Sequence, residues 1–510
     1  MKLTTAKQMR SADARAIAGG IPSIRLMETA SRAVADAAAP YLASGGNALA
    51  LCGSGNNGGD GVGAAAELLR RGILPAANVR VLLVGSRAHA TPDFLEMERR
   101  LNGLGGAVEE YDPDQPLPAC SVVIDAIFGI GLNKPVEGRA LSAIRAVNAL
   151  TGVPVVAADI ASGVEADTGR ILGDAIHAAV TVTFSLAKIG HYAEPGCVHC
   201  GALRVADIGI PKEILADCET NVSAVLDEEV RLPERTPLSH KGDYGKLLIL
   251  GGSVGYTGAP TLCARAAVRA GAGLVYLGVP APIYEITAVK NDEAMPFPLP
   301  EDFTKAALEK LEICDVCAVG CGMGRGEATF SLVRALLQSG SAAKIAPKPL
   351  VLDADALNVL AGHLELLDAC PGTAVLTPHA GEFARLGGVL TGGRVSDARR
   401  FAVEHGCVLV LKGYRCVAAF PDGDVFIATH GNPGMAKGGS GDVLTGIMAA
   451  MLGQFPRDVK RAVRTAMQIH ALAGDLCRDR LGEYAMTATD VIGTLPEAAK
   501  QLEEVSQRAK

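Results

Sequence analysis

Short apolar runs separated by longer amphipathic segments recur along most of the chain. In its first part the runs are NALALCG, VRVLLVG, CSVVIDAIFG, VPVVAADIASG and AVTVTFSLA. Most are continuous rather than alternating, which is typical of parallel strands buried on both faces of a sheet. The leading segment TTAKQMRSADARAIAGGIPSIRLMETASRAVADAAA predicts helices that cap this layer. The pattern predicts an α/β domain.

The pattern breaks after VADIGIP and restarts near residue 240. Residues 212–240 are polar, contain prolines and lack a clear period, which predicts a linker leading into a second domain. The later runs are KLLILGG, GLVYLGVP, DVCAVGCG, PLVLDADAL, TAVLTPHAG, CVLVLKG and CVAAF. We predict two three-layer α/β/α sandwich domains, over residues 1–218 and 226–510, with a frayed helix at the C-terminus.

Composition narrows the class of protein. A chain of 510 residues accommodates two or three domains, and its 60 glycines suit tight turns between strands and helices. The net charge of -7, without a basic tract, predicts neither nucleic acid nor a membrane as a partner. No signal peptide or membrane span is evident, so we expect a cytoplasmic protein. Apolar helical faces in both domains predict a homo-oligomer.

Thirteen cysteines are scattered along the chain, which fits reduced thiols in the cytosol. Two clusters resemble zinc motifs, CVHC at Cys197–Cys200 and CDVCAVGC with Cys314, Cys317 and Cys321. The second cluster falls in a predicted strand, where residues three apart face opposite sides and do not easily share one zinc ion. We therefore interpret these cysteines as small buried apolar residues.

The first chemical motif is GSGNNGGDG, Gly53–Gly61, which lies between a predicted strand and a predicted helix. It contains the G-x-G-x-x-G pattern of dinucleotide sites, which is weak evidence alone. Asp60 falls at the predicted helix start, where it would repel a pyrophosphate. The acidic residue expected after the second strand is absent, and no lysine completes a Walker loop. The pattern does not predict an ordinary redox site.

Polar residues also follow two other predicted strands of this domain. Asp125 ends one strand, and Asp159 and Ser162 follow another. Carboxyl ends of parallel strands gather around one crevice, where Asn57, Asp125 and Ser162 would supply oxygen ligands with a single negative charge. This set favours a weakly charged hard cation over a divalent one and leaves Asp159 available for acid–base chemistry. The alternative interpretation is a set of helix caps and turn residues.

The second chemical motif is HGNPGMAKGGSGDVLTGIMAAMLG. Gly438, Gly439 and Gly441 would let backbone N–H groups approach an anion at the start of an apolar helix. A carboxylate beside such an anion site, here Asp442, suits phosphoryl transfer to a hydroxyl, because it can accept the proton of the acceptor. The alternative is that Asp442 is a simple N-cap.

In the first domain, GSGNNGGDG, IDAIFGIGL and DIASGVEADTG resemble the epimerase domain of bifunctional NAD(P)H-hydrate repair enzymes, over about residues 1–215. The resemblance implies a Rossmann-like fold, with potassium bound by Asn57, Asp125 and Ser162 and with Asp159 as candidate acid–base residue. Epimerisation needs ring opening and closure, or loss and return of the hydroxyl. The implied contacts to the hydrated dinucleotide are Asn56, Asn57, Gly58, Gly59, Asp60, Gly129, Ile130, Gly131, Leu132, Asn133, Lys134, Pro135 and Asp159.

In the second domain, Asp442 and its glycines resemble the ribokinase-like superfamily. HKGDYGKLLILGGSVGYTGAP, VGCGMGRG, VLDADALN, LTPHAGEFARL, VLKGYRC and GNPGMAKGGSGDVLTG together resemble NAD(P)H-hydrate dehydratase domains, over about residues 230–500. The implied substrate contacts are Ala259, Gly324, His379 and Asp442. The implied adenine-nucleotide contacts are Lys412, Gly413, Tyr414, Arg415, Cys416 and Gly441.

Two details of the second domain limit these inferences. Cys416 stands where the family often has threonine, and because a thiol is a poorer donor only backbone contacts are expected there. His379 before a predicted helix is also typical of a cap. Asp353 and Asp355 are consistent either with a magnesium site at a strand end or with the start of a helix.

Together the two resemblances imply repair of NADH hydrate and NADPH hydrate. The S-epimer would be phosphorylated and would then lose phosphate, which restores the dihydronicotinamide. Fusion of both domains resembles the bacterial arrangement, which implies ADP with magnesium rather than ATP. One alternative is a small-molecule kinase with an accessory first domain, which would release a stable phosphorylated product. The other is a first domain that is only a binding or scaffold module.

Overall fold

The computed structural model describes residues 1–43, 45–300, 302–339, 346–370 and 372–508. The chain divides into two compact units, Lys2–Val222 and Ser223–Lys510. Both are α/β units built on a largely parallel sheet, which confirms the predicted fold class.

The first unit contains a seven-stranded parallel sheet in the order β4-β3-β2-β5-β6-β7-β9 and a parallel pair, β1-β8. Its strands are β1 Leu3–Thr4, β2 Ala48–Cys52, β3 Val79–Leu83, β4 Val108–Glu110, β5 Val122–Ala126, β6 Val155–Ala158, β7 Val180–Phe184, β8 Ala187–Lys188 and β9 Ala202–Ala206. Its helices are Ala6–Ala18, Ser23–Ala38, Asn56–Arg70, Pro92–Gly103, Gly138–Asn148 and Lys212–Ala216.

The central strands of this sheet are apolar because both faces are covered. Every residue of β2, β5, β6 and β7 is buried. One core cluster packs on each face of the sheet, the first with the two leading helices and the second with helix Gly138–Asn148. The predicted strands and capping helices are confirmed.

The second unit has a ten-stranded sheet in the order β10-β19-β18-β17-β16-β15-β14-β11-β12-β13, antiparallel at β17-β18-β19. Its strands are β10 Val222–Val225, β11 Lys246–Leu250, β12 Leu274–Pro280, β13 Met295–Leu299, β14 Val316–Val319, β15 Leu350–Leu352, β16 Ala374–Leu376, β17 Val408–Leu411, β18 Val417–Ala419 and β19 Val425–Ala428. Its helices are Gly258–Arg269, Tyr284–Lys290, Phe303–Glu312, Glu327–Leu337, Asp355–Leu360, Ala380–Arg385, Arg394–Glu404, Ser440–Gln454, Val459–Ala485 and Ala488–Arg508.

Helix Ser440–Gln454 is apolar on all sides because it is enclosed. It packs against helices Gly258–Arg269 and Val459–Ala485 and against β14, and every residue from 443 to 453 is buried. The segment 212–240, predicted as a linker, also contributes regular structure, namely helix Lys212–Ala216 and strand β10.

The cysteines of the two zinc-like motifs are buried, which agrees with their interpretation as small apolar residues. Cys314 precedes β14 rather than lying in it, so the strand-period argument does not apply to Cys314. Across the described ranges, no group of three or more His, Cys, Asp or Glu side chains is arranged to hold a metal ion. None of the described helices has the length and apolar character needed to cross a bilayer.

Candidate functional sites

The glycine loop of the first unit lies where the strand order reverses, between β2 and β5. Gly53 follows β2, and a Cβ atom added there would lie 2.1 Å from the carbonyl oxygen of Ile127. A Cβ on Gly58 would lie 1.7 Å from the Gly53 carbonyl oxygen. These glycines are therefore required by close backbone contacts. Helix Asn56–Arg70 begins earlier than predicted, so Asp60 lies in its second turn rather than at its start.

A cavity of about 540 Å³ opens beside this loop. The predicted site residues on its wall are Asn56, Asn57, Asp60, Gly129, Ile130, Gly131, Leu132 and Asp159. Gly58 and Gly59 lie behind the wall, where Gly58 packs on Gly53 and Gly59 on Met27. The residues from Asn133 to Pro135 are exposed on the loop that follows.

The structure brings Asp125 and Ser162 into direct contact. The Ser162 hydroxyl donates to Asp125 Oδ1 at 2.6 Å, and its backbone N–H donates to Asp125 Oδ2 at 2.8 Å. The same hydroxyl accepts a hydrogen bond from the backbone N–H of Phe128. No Lys, Arg or His of the described residues forms an ion pair with Asp125, and burial raises the pKa of Asp125 to about 6.

Asn57 lies beside Gly129, close to the Asp125–Ser162 pair in the contacts just described. A Cβ on Gly129, the residue after Phe128, would lie 3.1 Å from Asn57 Oδ1. Both polar side-chain atoms of Asn57 are buried without a hydrogen-bond partner in the described structure. An amide oxygen without a partner and a buried carboxylate without a counter-charge fit a monovalent cation bound through oxygen.

The sequence predicts an Asp159 carboxylate without partners, but in the structure this carboxylate contacts other side chains. Its Oδ1 lies 2.5 Å from Lys188 Nζ, and the Lys188 side chain is only 1% exposed. Thr183 Oγ1 also donates to Asp159. Although burial opposes it, the ion pair lowers the pKa of Asp159 below its ordinary value. The Asp159 carboxylate is therefore not free but paired with a buried lysine, and its acid–base role stays a prediction.

His191 holds this pair in place through the backbone. Its Nδ1 accepts the backbone N–H of Lys188 at 3.0 Å, so Nε2 carries the proton and donates to the Asp159 carbonyl at 2.9 Å. Burial and the Lys188 charge lower the pKa of His191 to about 4, which keeps the ring neutral. The bond supports Asp159 in a left-handed conformation with φ of 64°.

In the second unit, Gly438 and Gly439 lead into helix Ser440–Gln454. Gly439 is the N-cap residue, with φ of 99°, and Asp442 is the third residue of the helix. The alternative that Asp442 is the N-cap is therefore wrong. Burial raises the pKa of Asp442 to about 6, although the neighbouring Cys321 thiol opposes this shift. Asp442 thus lies beside the free N–H groups of a helix start.

A buried ion pair lies beside Gly441. Lys412 Nζ is 2.7 Å from Asp353 Oδ1 and 3.6 Å from Glu382 Oε2. Asp353 Oδ2 accepts a hydrogen bond from Thr445 Oγ1 at 2.7 Å. Although burial opposes it, the two carboxylates raise the pKa of Lys412. A Cβ on Gly441 would lie 3.3 Å from Lys412 Nζ, so the ammonium faces the helix start.

Asp353 and Asp355 occupy different positions, one at a strand end and the other at the start of a helix. Asp353 follows β15 directly, whereas Asp355 begins helix Asp355–Leu360. Asp355 accepts the backbone N–H of Gly324, a predicted substrate contact, at 2.8 Å. Both carboxylates therefore have protein partners.

The other predicted contacts lie at strand ends or helix starts. Ala259 is in the first turn of helix Gly258–Arg269. His379 caps helix Ala380–Arg385, because its Nδ1 accepts hydrogen bonds from the backbone N–H groups of Gly381 and Glu382. Its backbone also forms an isolated parallel β-bridge with the backbone of Lys412. The segment Lys412, Gly413, Tyr414, Arg415 and Cys416 connects β17 to β18. Cys416 packs on the core while its carbonyl accepts the N–H of Ala428.

The loop before the anion site is held by a histidine between two carboxylates. His430 Nδ1 lies 3.0 Å from Asp475 Oδ2, and Nε2 lies 3.1 Å from Asp227. Asp475 also accepts Asn432 Nδ2 at 2.9 Å. Although burial opposes it, these hydrogen bonds raise the pKa of His430 to about 9. The imidazolium therefore fixes the start of the loop that leads to Gly439.

This clamp predicts a pH-dependent stability. Because the pKa of His430 is higher in the folded protein than the usual 6.5 or so, its contribution is complete below about pH 6.5 and is lost as pH rises through about 9. Wild type is expected to lose about 3 kcal/mol of unfolding free energy as pH rises across this range, and His430→Gln should remove this pH-dependent loss. Denaturant unfolding at several pH values measures it. His363→Gln, at a half-exposed histidine, is the control; equal pH dependence of both variants would contradict the expectation.

Two family models match the chain. The model described as YjeF-related protein N-terminus matches residues 23–190, and the NAD(P)H-hydrate dehydratase model matches residues 247–497. The first range contains Asn57 and its glycine loop, and the second contains the helix start with Asp442, whereas the cavity residues Met9, Arg10, Asp13, Ile17 and Ile208 lie outside the first range.

Similar proteins cover nearly the whole chain. A bifunctional NAD(P)H-hydrate repair enzyme of Moorella thermoacetica is 41% identical over 531 residues, covering 99% of this chain and 98% of the relative. One of Thermofilum pendens is 37% identical over 505 residues, covering 95% and 93%. The solved ADP/ATP-dependent NAD(P)H-hydrate dehydratase of Bacillus subtilis, co-crystallised with ATP and magnesium, is 32% identical with a TM-score of 0.49, covering 56% of this chain and 100% of that one.

Proposed function

This chain belongs to the family of bifunctional NAD(P)H-hydrate repair enzymes, and we propose that it repairs hydrated NADH and NADPH at two sites. The first unit interconverts the R and S epimers of the hydrates. The second unit converts the S-epimer to NAD(P)H at the expense of ADP. The observation that carries this proposal is the presence, in one chain, of the charged cavity at Asn57 and the anion-binding helix start at Asp442.

In the dehydratase site, we propose that Asp442 accepts the proton of the substrate hydroxyl. The oxygen then attacks the terminal phosphorus of ADP, and AMP leaves with the electron pair of the broken P–O bond. Loss of a proton from the neighbouring ring carbon and departure of phosphate restore the dihydronicotinamide. Lys412 and the N–H groups near Gly441 would stabilise the phosphate charge.

Magnesium would neutralise phosphate charge when it is bound with the nucleotide. The donor chemistry of Asp353 fits such an ion, but its two oxygens already accept hydrogen bonds from Lys412 and Thr445. We therefore propose that magnesium binds as the ADP complex, while Asp353 orients Lys412.

In the epimerase site, Asn57, Asp125 and Ser162 would hold potassium. The proposal is supported by the buried Asn57 amide oxygen without a partner and by the uncompensated charge of Asp125. The ion would supply positive potential beside the glycine loop, where a phosphate of the dinucleotide would approach.

The test follows recovery of the reduced-nicotinamide absorbance from mixed NADPH-hydrate epimers with magnesium, potassium and either ADP or ATP. Full recovery of both epimers with ADP is expected, and replacing potassium by tetramethylammonium should restrict recovery to the S-epimer. Recovery with ATP but not with ADP would reject ADP as the phosphoryl donor. A stable phosphorylated product would favour a small-molecule kinase, and recovery of only the S-epimer with potassium present would indicate a first unit without epimerase activity.

A further inference from the structure

Three carboxyl groups in the epimerase cavity, those of Asp13, Asp60 and Asp93, have no hydrogen bond or ion pair with a described residue, and the sequence assigns no role to Asp13. Asp13 lines the cavity together with Asp159 and Lys188. Among the described residues, none forms a hydrogen bond or ion pair with the Asp13 carboxyl group. Asp159, by contrast, is held by Lys188 and Thr183. Asp13 therefore remains available to a substrate.

The fold explains how a residue so far from the glycine motif reaches the cavity. Strand β1 pairs with β8 in the register Thr4 to Lys188, which places the following helix, Ala6–Ala18, beside the buried lysine. On that helix Met9, Asp13 and Ile17 recur at four-residue spacing and all line the cavity. The position of Asp13 is thus fixed by strand pairing and by the packed helix face.

The charged groups around Asp13 come from several elements. Arg10 lies on the same helix as Asp13, Asp60 lies on helix Asn56–Arg70, and Asp93 lies on helix Pro92–Gly103. Asp159 directly follows β6, and Lys188 lies in β8. Asp60 is only 8% exposed, and burial together with the neighbouring carboxylates raises the pKa of Asp60 well above its ordinary value. Asp60 is therefore suited to donate a hydrogen bond in its protonated form.

The electrostatics of Asp13 differ from those of Asp159. Burial and the Asp159 charge outweigh the effect of Lys188 and raise the pKa of Asp13 to about 6. A carboxyl group near neutrality can both give and take a proton during turnover, whereas the ion-paired Asp159 stays charged.

We propose that Asp13 is a catalytic residue of epimerisation, moving the proton on the hydroxyl that leaves and returns at the hydrated carbon. The inference rests on the proposed epimerase function. Asp13 gives its proton to the hydroxyl, the C–O bond breaks with its electron pair on oxygen, and the ring nitrogen lone pair forms a C=N⁺ bond. Water then adds to the opposite face and loses one proton, which returns through solvent in the cavity to Asp13. The net reaction neither gains nor loses a proton.

The test uses the full-length Asp13→Asn and Asp13→Glu variants, with R-NADPH hydrate as substrate and chromatographic separation of the epimers. We expect Asp13→Asn to lower kcat for epimerisation by at least about a hundredfold, with partial recovery in Asp13→Glu. In wild type, kcat/KM should fall as pH rises through about 6, and Asp13→Asn should lose this limb. Asp36→Asn, at an exposed carboxylate paired with Arg71, is the control for a charge change.

Dehydration of pure S-NADPH hydrate should remain at the wild-type rate in each variant, which verifies an intact second unit. Wild-type protection of the β6 and β7 amides in hydrogen exchange verifies a folded first unit. If wild type epimerises and Asp13→Asn matches it, or slows without a change in the pH profile, the catalytic assignment of Asp13 is overturned. Absence of epimerisation in wild type itself would instead reject the proposed function of the first unit.

Discussion

Replacing Asp442 by asparagine is expected to slow dehydration of S-NADPH hydrate by about a thousandfold while leaving epimerisation at the wild-type rate. The carboxylate lies in the first turn of helix Ser440–Gln454, and burial raises its pKa to about 6. At neutral pH it can therefore accept the proton of the attacking hydroxyl. Asparagine keeps the size and a hydrogen-bonding oxygen but cannot take up a proton.

The measurement separates chemistry from binding. We expect kcat to fall while the Kd for ADP with magnesium changes by less than about threefold, because the backbone N–H groups and Lys412 remain in place. Asp458→Asn is the matched control, since Asp458 caps the next helix by accepting the N–H of Arg461. A general loss of helix stability would affect both variants. Dehydration by Asp442→Asn at near wild-type kcat would remove Asp442 from the catalytic step.

The buried strands were predictable because burial on both faces leaves a continuous apolar run. The strands that the sequence did not indicate are mostly exposed, short or interrupted. The residues of β9 are partly or fully exposed, and β13 is an edge strand with prolines at two of its five positions. Strand β10 was not predicted because it consists of only four apolar or small residues within a polar segment.

The site was predictable where function requires a dense local motif. Asn57 and Asp442 lie in such motifs, whose glycines allow close backbone contacts. Lys188 and Asp13 lie in none, and both reach the cavity wall through the pairing of β1 with β8, a contact between distant parts of the chain. A lysine at the end of the apolar run FSLAK was the available signal, because a buried lysine needs a charged partner.

The same long-range pairing makes Lys188 the position where a single change should most affect the first unit. Lys188→Met removes the partner of the Asp159 carboxylate, which is itself buried. Leaving one member of a buried ion pair uncompensated costs about 3–5 kcal/mol. We expect this loss in the first unit, together with loss of epimerisation, while the second unit continues to dehydrate the S-epimer.

A double-mutant cycle distinguishes the ion pair from a general packing defect. Asp159→Asn alone should also destabilise the first unit. The double variant with Lys188→Met and Asp159→Asn should be at least about 2 kcal/mol more stable than Lys188→Met alone, because no buried charge remains. Hydrogen exchange of the amides in β6 and β7 measures the effect within this unit of the full-length protein. Additive losses in the double variant would show that the two side chains stabilise the fold independently. Recovered stability without recovered epimerisation would show instead that the charges of Lys188 and Asp159 serve catalysis and that a neutral pair suffices for folding.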